Sequence, residues 1–266
     1  VSESSAPAWA GGSFGERGRC VLAPNAGPMT LDGTNTWVLR EPGGRRSVVI
    51  DPGPLDDEHL EAVLDAAGSV GVVLLTHRHL DHSEGARRFA ESAGCGVRAL
   101  DPEYRLGAEG LADGDVIDVD GLEVRVVGTP GHSSDSLSFV LPAESAVLTG
   151  DTVLGRGTTV VAHPDGELGA YLGSLRRLRD LAESAETTRV WPGHGPVIDD
   201  ALAAIEGYLA HRAERLEQVR EALTAGATTP REVVERVYHD VDPILWPAAE
   251  LSVRAQLDYL GGGHES

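Results

Sequence analysis

Short apolar runs recur along the chain, and most stop at a glycine, a proline or an acidic residue. Thr36–Arg40 and Ser47–Asp51 read as two strands joined through Glu41-Pro42-Gly43-Gly44, with Asp51-Pro52-Gly53 ending the second. A helix is predicted from about Leu55 to Ala67, with Asp56 and Asp57 in its first turn and Gly68 as its stop. Val72–Leu75 is a buried strand, Ser83–Ala93 a helix closed by Gly94-Cys95-Gly96, and Val97–Leu100 another short strand. Val116–Val119 and Glu123–Val127 flank the tight-turn pair Asp120-Gly121. Leu137–Leu141, Ala146–Thr149 and Arg189–Trp191 are further strands. Tyr171, Leu175, Leu178 and Leu181 mark a helix over Ala170–Glu183. From about Asp199 the pattern turns helical: Ala201–Leu223, a shorter helix capped by Thr228-Thr229-Pro230 and running to about His239, and one from Pro247 to about Leu260.

The pattern is that of an α/β domain over residues 21–224 with a helical segment at 225–266. Residues 1–20 lack an apolar targeting core and are expected to be a flexible lead-in, and Gly261-Gly262-Gly263 opens a tail expected to be disordered. The C-terminal helices fit a cap over a substrate, a dimer surface, a winged-helix-like module or plain packing, and the pattern leaves these open. Oligomeric state is not readable from it.

Composition narrows the function. The 42 acidic residues against 22 basic ones give a net charge of −20, and every basic residue is arginine. That balance repels polyanions at long range. Cys20 and Cys95 are far apart and not in a ligand-like spacing, so free thiols and a cytoplasmic location are expected. No apolar run approaches the ~18–20 residues of a membrane span.

The candidate chemistry gathers after the strand Val72–Leu75. Thr76-His77-Arg78-His79-Leu80-Asp81-His82 places three imidazoles and a carboxylate within six positions. Packing does not call for such a run, because these groups are costly to bury without partners. Imidazoles and carboxylates suit zinc and its first-row neighbours. Three later strands also end in loops carrying such groups: His132 in Gly128-Thr129-Pro130-Gly131-His132, Asp151 after Gly150, and His194 in Pro192-Gly193-His194-Gly195-Pro196. Loops beyond strand ends converge in layered α/β folds, and seven ligands suit two ions sharing a bridge rather than one tetrahedral ion. His59, His163, His211, His239 and His264 are expected at the surface.

With these residues the chain resembles the metallo-β-lactamase superfamily: Thr76–His82 fits its HxHxDH signature, and His132, Asp151 and His194 follow in order. The resemblance implies an αββα sandwich with the site at one edge of two facing sheets. Gly33–Trp37 (GTNTW), Thr129–Asp135 (TPGHSSD), Gly150–Val160 (GDTVLGRGTTV) and PGHGPVI before a helix containing His211-Arg212 are similar to the beta-lactamase-like protein 2 family. That family includes a metal-dependent endoribonuclease for single-stranded RNA with a C-terminal winged-helix-like segment.

The resemblance implies that His77, His79 and His132 hold one divalent ion, that Asp81, His82 and His194 hold a second, and that Asp151 bridges them. Zinc is the first expectation, with manganese or iron as alternatives. A bridging hydroxide would attack a carbonyl carbon or a phosphorus, with Asp81 orienting it or passing its proton on. Asn35 either projects into the site or closes a turn. Arg156 either grips a phosphate or carboxylate or is an exposed loop arginine. Three functions follow. Phosphodiester cleavage of single-stranded RNA is favoured by the narrower resemblance. A glyoxalase II-like acyl hydrolase of thioesters, lactones or β-lactam-type small molecules is the alternative, and a non-catalytic metal- or partner-binding protein is the third.

Overall fold

The computed structural model describes residues 8–262. Two sheets face one another. The first has the order β1 (Gly12–Phe14), β2 (Gly18–Leu22), β3 (Asn35–Leu39), β4 (Ser47–Ile50), β5 (Val70–Leu74) and β6 (Gly96–Arg98). Strands β1 to β4 pair antiparallel, whereas β4, β5 and β6 are parallel. Parallel neighbours need a crossover, and helix α1 (Asp57–Ala67), then α2 (Leu80–Ser83) and α3 (Ala86–Ala93), supply it. The second sheet comprises β7 (Val116–Val119), β8 (Leu122–Gly128), β9 (Leu137–Leu141), β10 (Ala146–Gly150) and β11 (Arg189–Pro192), with β7 and β11 at its edges. Only β10 and β11 are parallel there, and α4 (Leu168–Glu183) lies between them in sequence.

Strand alternation explains the four layers. On β3, Trp37 and Leu39 enter the core between the sheets while Val38 meets the α1/α3 side. On β4, Val48 and Ile50 point inward and Val49 outward. Ala146 and Leu148 of β10 close the same inner core, and Val147 packs with Tyr171, Leu175 and Leu178 of α4. Both faces of these strands are covered, so they read as continuous apolar runs rather than alternating ones. Trp37 and Trp191 stack across the two sheets at 4.8 Å and 13°. The result is the expected αββα sandwich.

Three expectations are corrected. The chain from Gly12 is an edge hairpin rather than a loose lead-in. Phe14 sits edge-on to Trp37 at 5.6 Å, and Trp9 donates to Asn35 at 2.8 Å. Local sequence hides this because two aromatic side chains docked on a distant core, not a periodic pattern, hold the strands. Residues 1–7 of the lead-in and 263–266 of the tail lie outside the described residues, while Gly261 still belongs to the last helix. The single helix expected over Ser83–Ala93 is broken between α2 and α3. There Gly85 N donates to Gly53 O at 3.0 Å, and a Cβ at Gly85 would stand 2.8 Å from Pro54 O.

The C-terminal helices are α5 (Ala201–Thr224), α6 (Pro230–Val237) and α7 (Trp246–Gly261). The first half of α5 packs on α4 through Ile205 and Tyr208, and its end joins Val233, Val234 and Val253 in a small separate core. Thr229 and Glu232 cap α6 reciprocally. No strand follows β11 among the described residues.

Candidate metal centre

Four strand ends deliver the site. His77 and His79 follow β5, and Asp81 and His82 sit on α2 one turn later. His132 follows β8, Asp151 follows β10 and His194 follows β11. All seven side chains meet. His79 Nδ1 is 3.0 Å from both His77 Nε2 and His132 Nε2. His194 Nε2 is 3.2 Å from His82 Nε2 and 3.1 Å from Asp81 Oδ2. Asp151 lies between the two groups: its Oδ1 is 3.4 Å from the Nε2 atoms of His82 and His194, and its Oδ2 is 3.6 Å from His132 Nε2.

These spacings fit metal ligation. Ligands held 2.0–2.1 Å from a tetrahedral ion stand about 3.3 Å apart. His77/His79/His132, His77/His82/Asp151 and Asp81/His82/His194 each bring their ligand atoms within 4.8 Å of one another. Asp151 Oδ1 is buried and accepts no hydrogen bond, which leaves a carboxylate oxygen facing the His82 and His194 nitrogens with no donor of its own. The clusters can therefore bind metal ions.

The surrounding residues fix four of the five imidazoles, while His79 faces the centre through its Nδ1. His82 Nδ1 donates to Asp51 Oδ2 at 2.9 Å, His132 Nδ1 to Val160 O at 2.8 Å and His194 Nδ1 to Gly33 O at 3.1 Å. His77 Nδ1 lies 2.9 Å from Thr76 Oγ1, which donates onward to Asp51 Oδ2 at 2.6 Å. A proton held at Nδ1 leaves the Nε2 lone pair free to face the centre. Asp51 is the residue that sequence reasoning missed. It caps the buried network from a left-handed backbone conformation (φ 51°) and also accepts from Thr76 N at 2.8 Å. Its sequence signal, Asp-Pro-Gly after a strand, reads equally well as a turn.

Electrostatics divide the centre. Burial and the neighbouring imidazoles push His77 well below the usual histidine range, and burial lowers His132, so both are neutral. Burial opposes the charge on His194, but Asp151 and Asp81 overcome it and raise that imidazole to about 9. Burial likewise opposes ionisation of Asp81, yet His82 and His194 bring it down to about 2. Asp81 is the more open of the two carboxylates, its side chain 29% exposed against 10% for Asp151. Gly193 lets the backbone pass close by: a Cβ there would stand 2.7 Å from Asp151 Oδ1 and 2.8 Å from His82 Cε1.

Asn35 and Arg156, each left open between a substrate contact and a structural role, are both held by protein partners. Asn35 is buried and fully engaged, its amide donating to Pro192 O at 2.9 Å and Gly195 O at 2.8 Å while Trp9 donates to its Oδ1. It clamps the His194 loop and offers no free group to a substrate. Arg156 is exposed but paired with Asp32, so its charge is already committed. Among the histidines expected at the surface, His239 is exposed and His163 pairs with Asp258. His59 is instead buried, 2.9 Å from Thr36 Oγ1, and His211 is half-buried. His264 lies outside the described residues.

Residues 29–194 match the description "Metallo-beta-lactamase superfamily", and residues 229–260 match "Beta-lactamase associated winged helix domain". The chain is similar to a "Beta-lactamase-like protein 2 homolog" from Caenorhabditis elegans, with 33% identity over 83% of this chain and 76% of that protein. It is also similar to an "Atrochrysone carboxyl ACP thioesterase" from Aspergillus fumigatus, with 37% identity over 82% of this chain and 72% of that one. A beta-lactamase domain protein from Burkholderia ambifaria shares the fold, with a TM-score of 0.80 and 22% identity over 97% of this chain and 91% of that chain. By its matched domain, its relatives and its His/Asp clusters, the chain belongs to the metallo-β-lactamase superfamily and is a metal-dependent hydrolase.

Proposed function

We propose that His77, His79 and His132 hold one divalent ion, that Asp81, His82 and His194 hold a second with Asp151 between them, and that the centre hydrolyses a thioester or related acyl bond of a small substrate. Five imidazoles favour zinc, and the carboxylates also admit manganese or iron. Two such ions, when bound, polarise the attacked carbonyl and acidify a water. The protein's own part is positional. The Nδ1 anchors hold His77, His82, His132 and His194 in one tautomer, and Asp151 spans the groups. Asp81, ionised and partly open, accepts a hydrogen bond from the attacking water and orients it. Water adds to the acyl carbon, the C–S bond breaks, and the sulfur leaves as a thiol carrying a proton.

The observation that favours a small acyl substrate is the pairing with carboxylates of the two arginines on the ligand-bearing loops, Arg78 and Arg156. Arg78, between His77 and His79, is paired with Asp165 and lies 3.8 Å from Asp101. Arg156, five positions beyond Asp151, is paired with Asp32. A polyanion needs a basic track, and these cations are already satisfied in a chain of net charge −20. The thioesterase name of the Aspergillus fumigatus relative points the same way. Cleavage of single-stranded RNA is the second reading, favoured by likeness to the beta-lactamase-like protein 2 homologue.

Elemental analysis and thioester turnover test the assignment together. Wild-type protein is expected to hold two ions per chain. Asp81→Ala is expected to lose at least one of them and all detectable hydrolysis while keeping its circular dichroism. A metal-replete, active Asp81→Ala protein would refute the site.

A further inference from the structure

A cavity of about 200 Å³ lies between Thr158–Val160, the middle of α5, the connection after α6 and the start of α7. Its apolar lining includes Met29, Val241, Leu245 and Ala248, and its basic lining is His211, Arg212 and Arg215. No carboxylate lines it, in a chain with almost twice as many acidic as basic residues. Arg212 donates to Thr159 O and lies 5.1 Å from the Tyr171 ring centre. Arg215 donates to Val237 O at 2.7 Å and lies 4.4 Å from the Tyr238 ring centre. Among the described residues neither guanidinium is paired with a carboxylate, unlike Arg17, Arg46, Arg78 and Arg156. His211 Nδ1 and Arg212 Nε, in the same stretch of helix, are buried without a protein partner.

The cavity lies one residue behind the metal centre: none of the seven ligands lines it, but residues of its wall touch His132. Val160 O and Thr159 Oγ1, from its wall, are the two oxygens against His132 Nδ1, at 2.8 and 3.3 Å. It is smaller than the ~300–1,000 Å³ of drug-sized sites, a size that suits one acyl group. Most of the fork of Arg215 is uncommitted, and a planar guanidinium matches a carboxylate through paired hydrogen bonds.

We propose that this cavity is the acyl pocket of the hydrolase, and that it selects acyl groups with an apolar body and a terminal carboxylate, received by Arg215. The assignment of the pocket's ligand rests on the acyl-hydrolase reading above. It places the helical C-terminal region in substrate selection rather than packing alone.

The test compares octanedioyl, octanoyl and acetyl thioesters of N-acetylcysteamine on metal-loaded protein, with calorimetric titration of octanedioate alongside. The octanedioyl thioester is expected to exceed the octanoyl one in kcat/KM by at least about tenfold. Arg215→Met is expected to bring that ratio near one and to abolish octanedioate binding. Ala248→Leu, which narrows the cavity without touching a charge, is expected to raise KM for both long acyl groups far more than for acetyl. Thermal melting checks that each variant is folded. Thioester turnover with ratios indifferent to both variants would overturn the pocket and leave the acyl-hydrolase reading intact. Octanedioate binding lost in Arg215→Met, with no thioester turned over, would support the pocket while refuting that reading. Binding of inorganic phosphate or uridine monophosphate with no binding of octanedioate would overturn the proposed ligand.

Discussion

His82 reaches the centre only because Asp51, 31 positions earlier, holds its Nδ1. Removing such a partner costs about 10–100-fold in metal affinity. Asn tolerates the left-handed backbone that Asp51 adopts, so Asp51→Asn is expected to weaken metal binding by about that factor, measured by competition with a chelator, while the fold persists. Asn35→Ala is a different kind of loss. It leaves Gly195 O and the Trp9 indole N–H without their partner, while Pro192 O keeps the Trp37 indole N–H, and chemical denaturation is expected to show a loss of about 2–4 kcal/mol. The buried His59 supplies a pH dependence. Burial lowers its pKa, so the fold keeps it neutral while the unfolded chain protonates it near 6.5. Unfolding then takes up protons, so its contribution to stability is full above about 6.5 and declines as pH falls toward the folded value. A His59→Gln protein is expected to show a flatter acid limb between pH 7 and 5 than wild type. At this scale the ligand types were legible because three histidines and an aspartate in one short run have no packing explanation. Asp51, Asn35 and His59 were not, because each acts through a neighbour that only folding supplies.

Elements carry the loops into register. Gly131 shows how tight this is: its φ is 131°, and a Cβ would lie 2.3 Å from the backbone of Tyr171 on α4. Gly131→Ala is expected to cost more than about 2 kcal/mol and to displace His132; a variant with unchanged denaturation midpoint and activity would contradict that packing. Helices α4 and α5 also brace the loop after β10. Tyr171 Oη donates to Thr152 O at 2.7 Å, and Leu154 N donates to Tyr208 Oη at 2.9 Å. The strands were readable because runs such as Val147-Leu148 are apolar on both faces, which only a covered sheet needs. The edge hairpin was not, because Gly12–Phe14 holds one large apolar residue and gains its order from Trp37 and Trp191. The break before α3 was equally hidden, since the sequence continues in helical pattern and only the close approach of Gly53 and Pro54 forces it.

For the whole molecule, the four-layer fold and the net charge pull in one direction. No helix among the described residues is long and apolar enough to cross a membrane. The sheets bring metal-type ligands from four strand ends to one place, while the acidic surface disfavours polyanions. Metal binding links the site to global stability. Ions held at about 100 times their dissociation constant stabilise the fold by about 2.7 kcal/mol each. Chelation is therefore expected to lower the melting temperature by roughly 5–10 °C per ion lost for a domain of this size, and calorimetry with and without chelator reads it. The most direct test of the central claim is competition between substrates: metal-loaded protein offered a thioester and single-stranded RNA in one mixture, with Asp81→Ala as control. Thioester hydrolysis with the RNA intact, lost in the variant, is the expected result. RNA cleavage lost in the variant, with the thioester untouched, would contradict the acyl-hydrolase account.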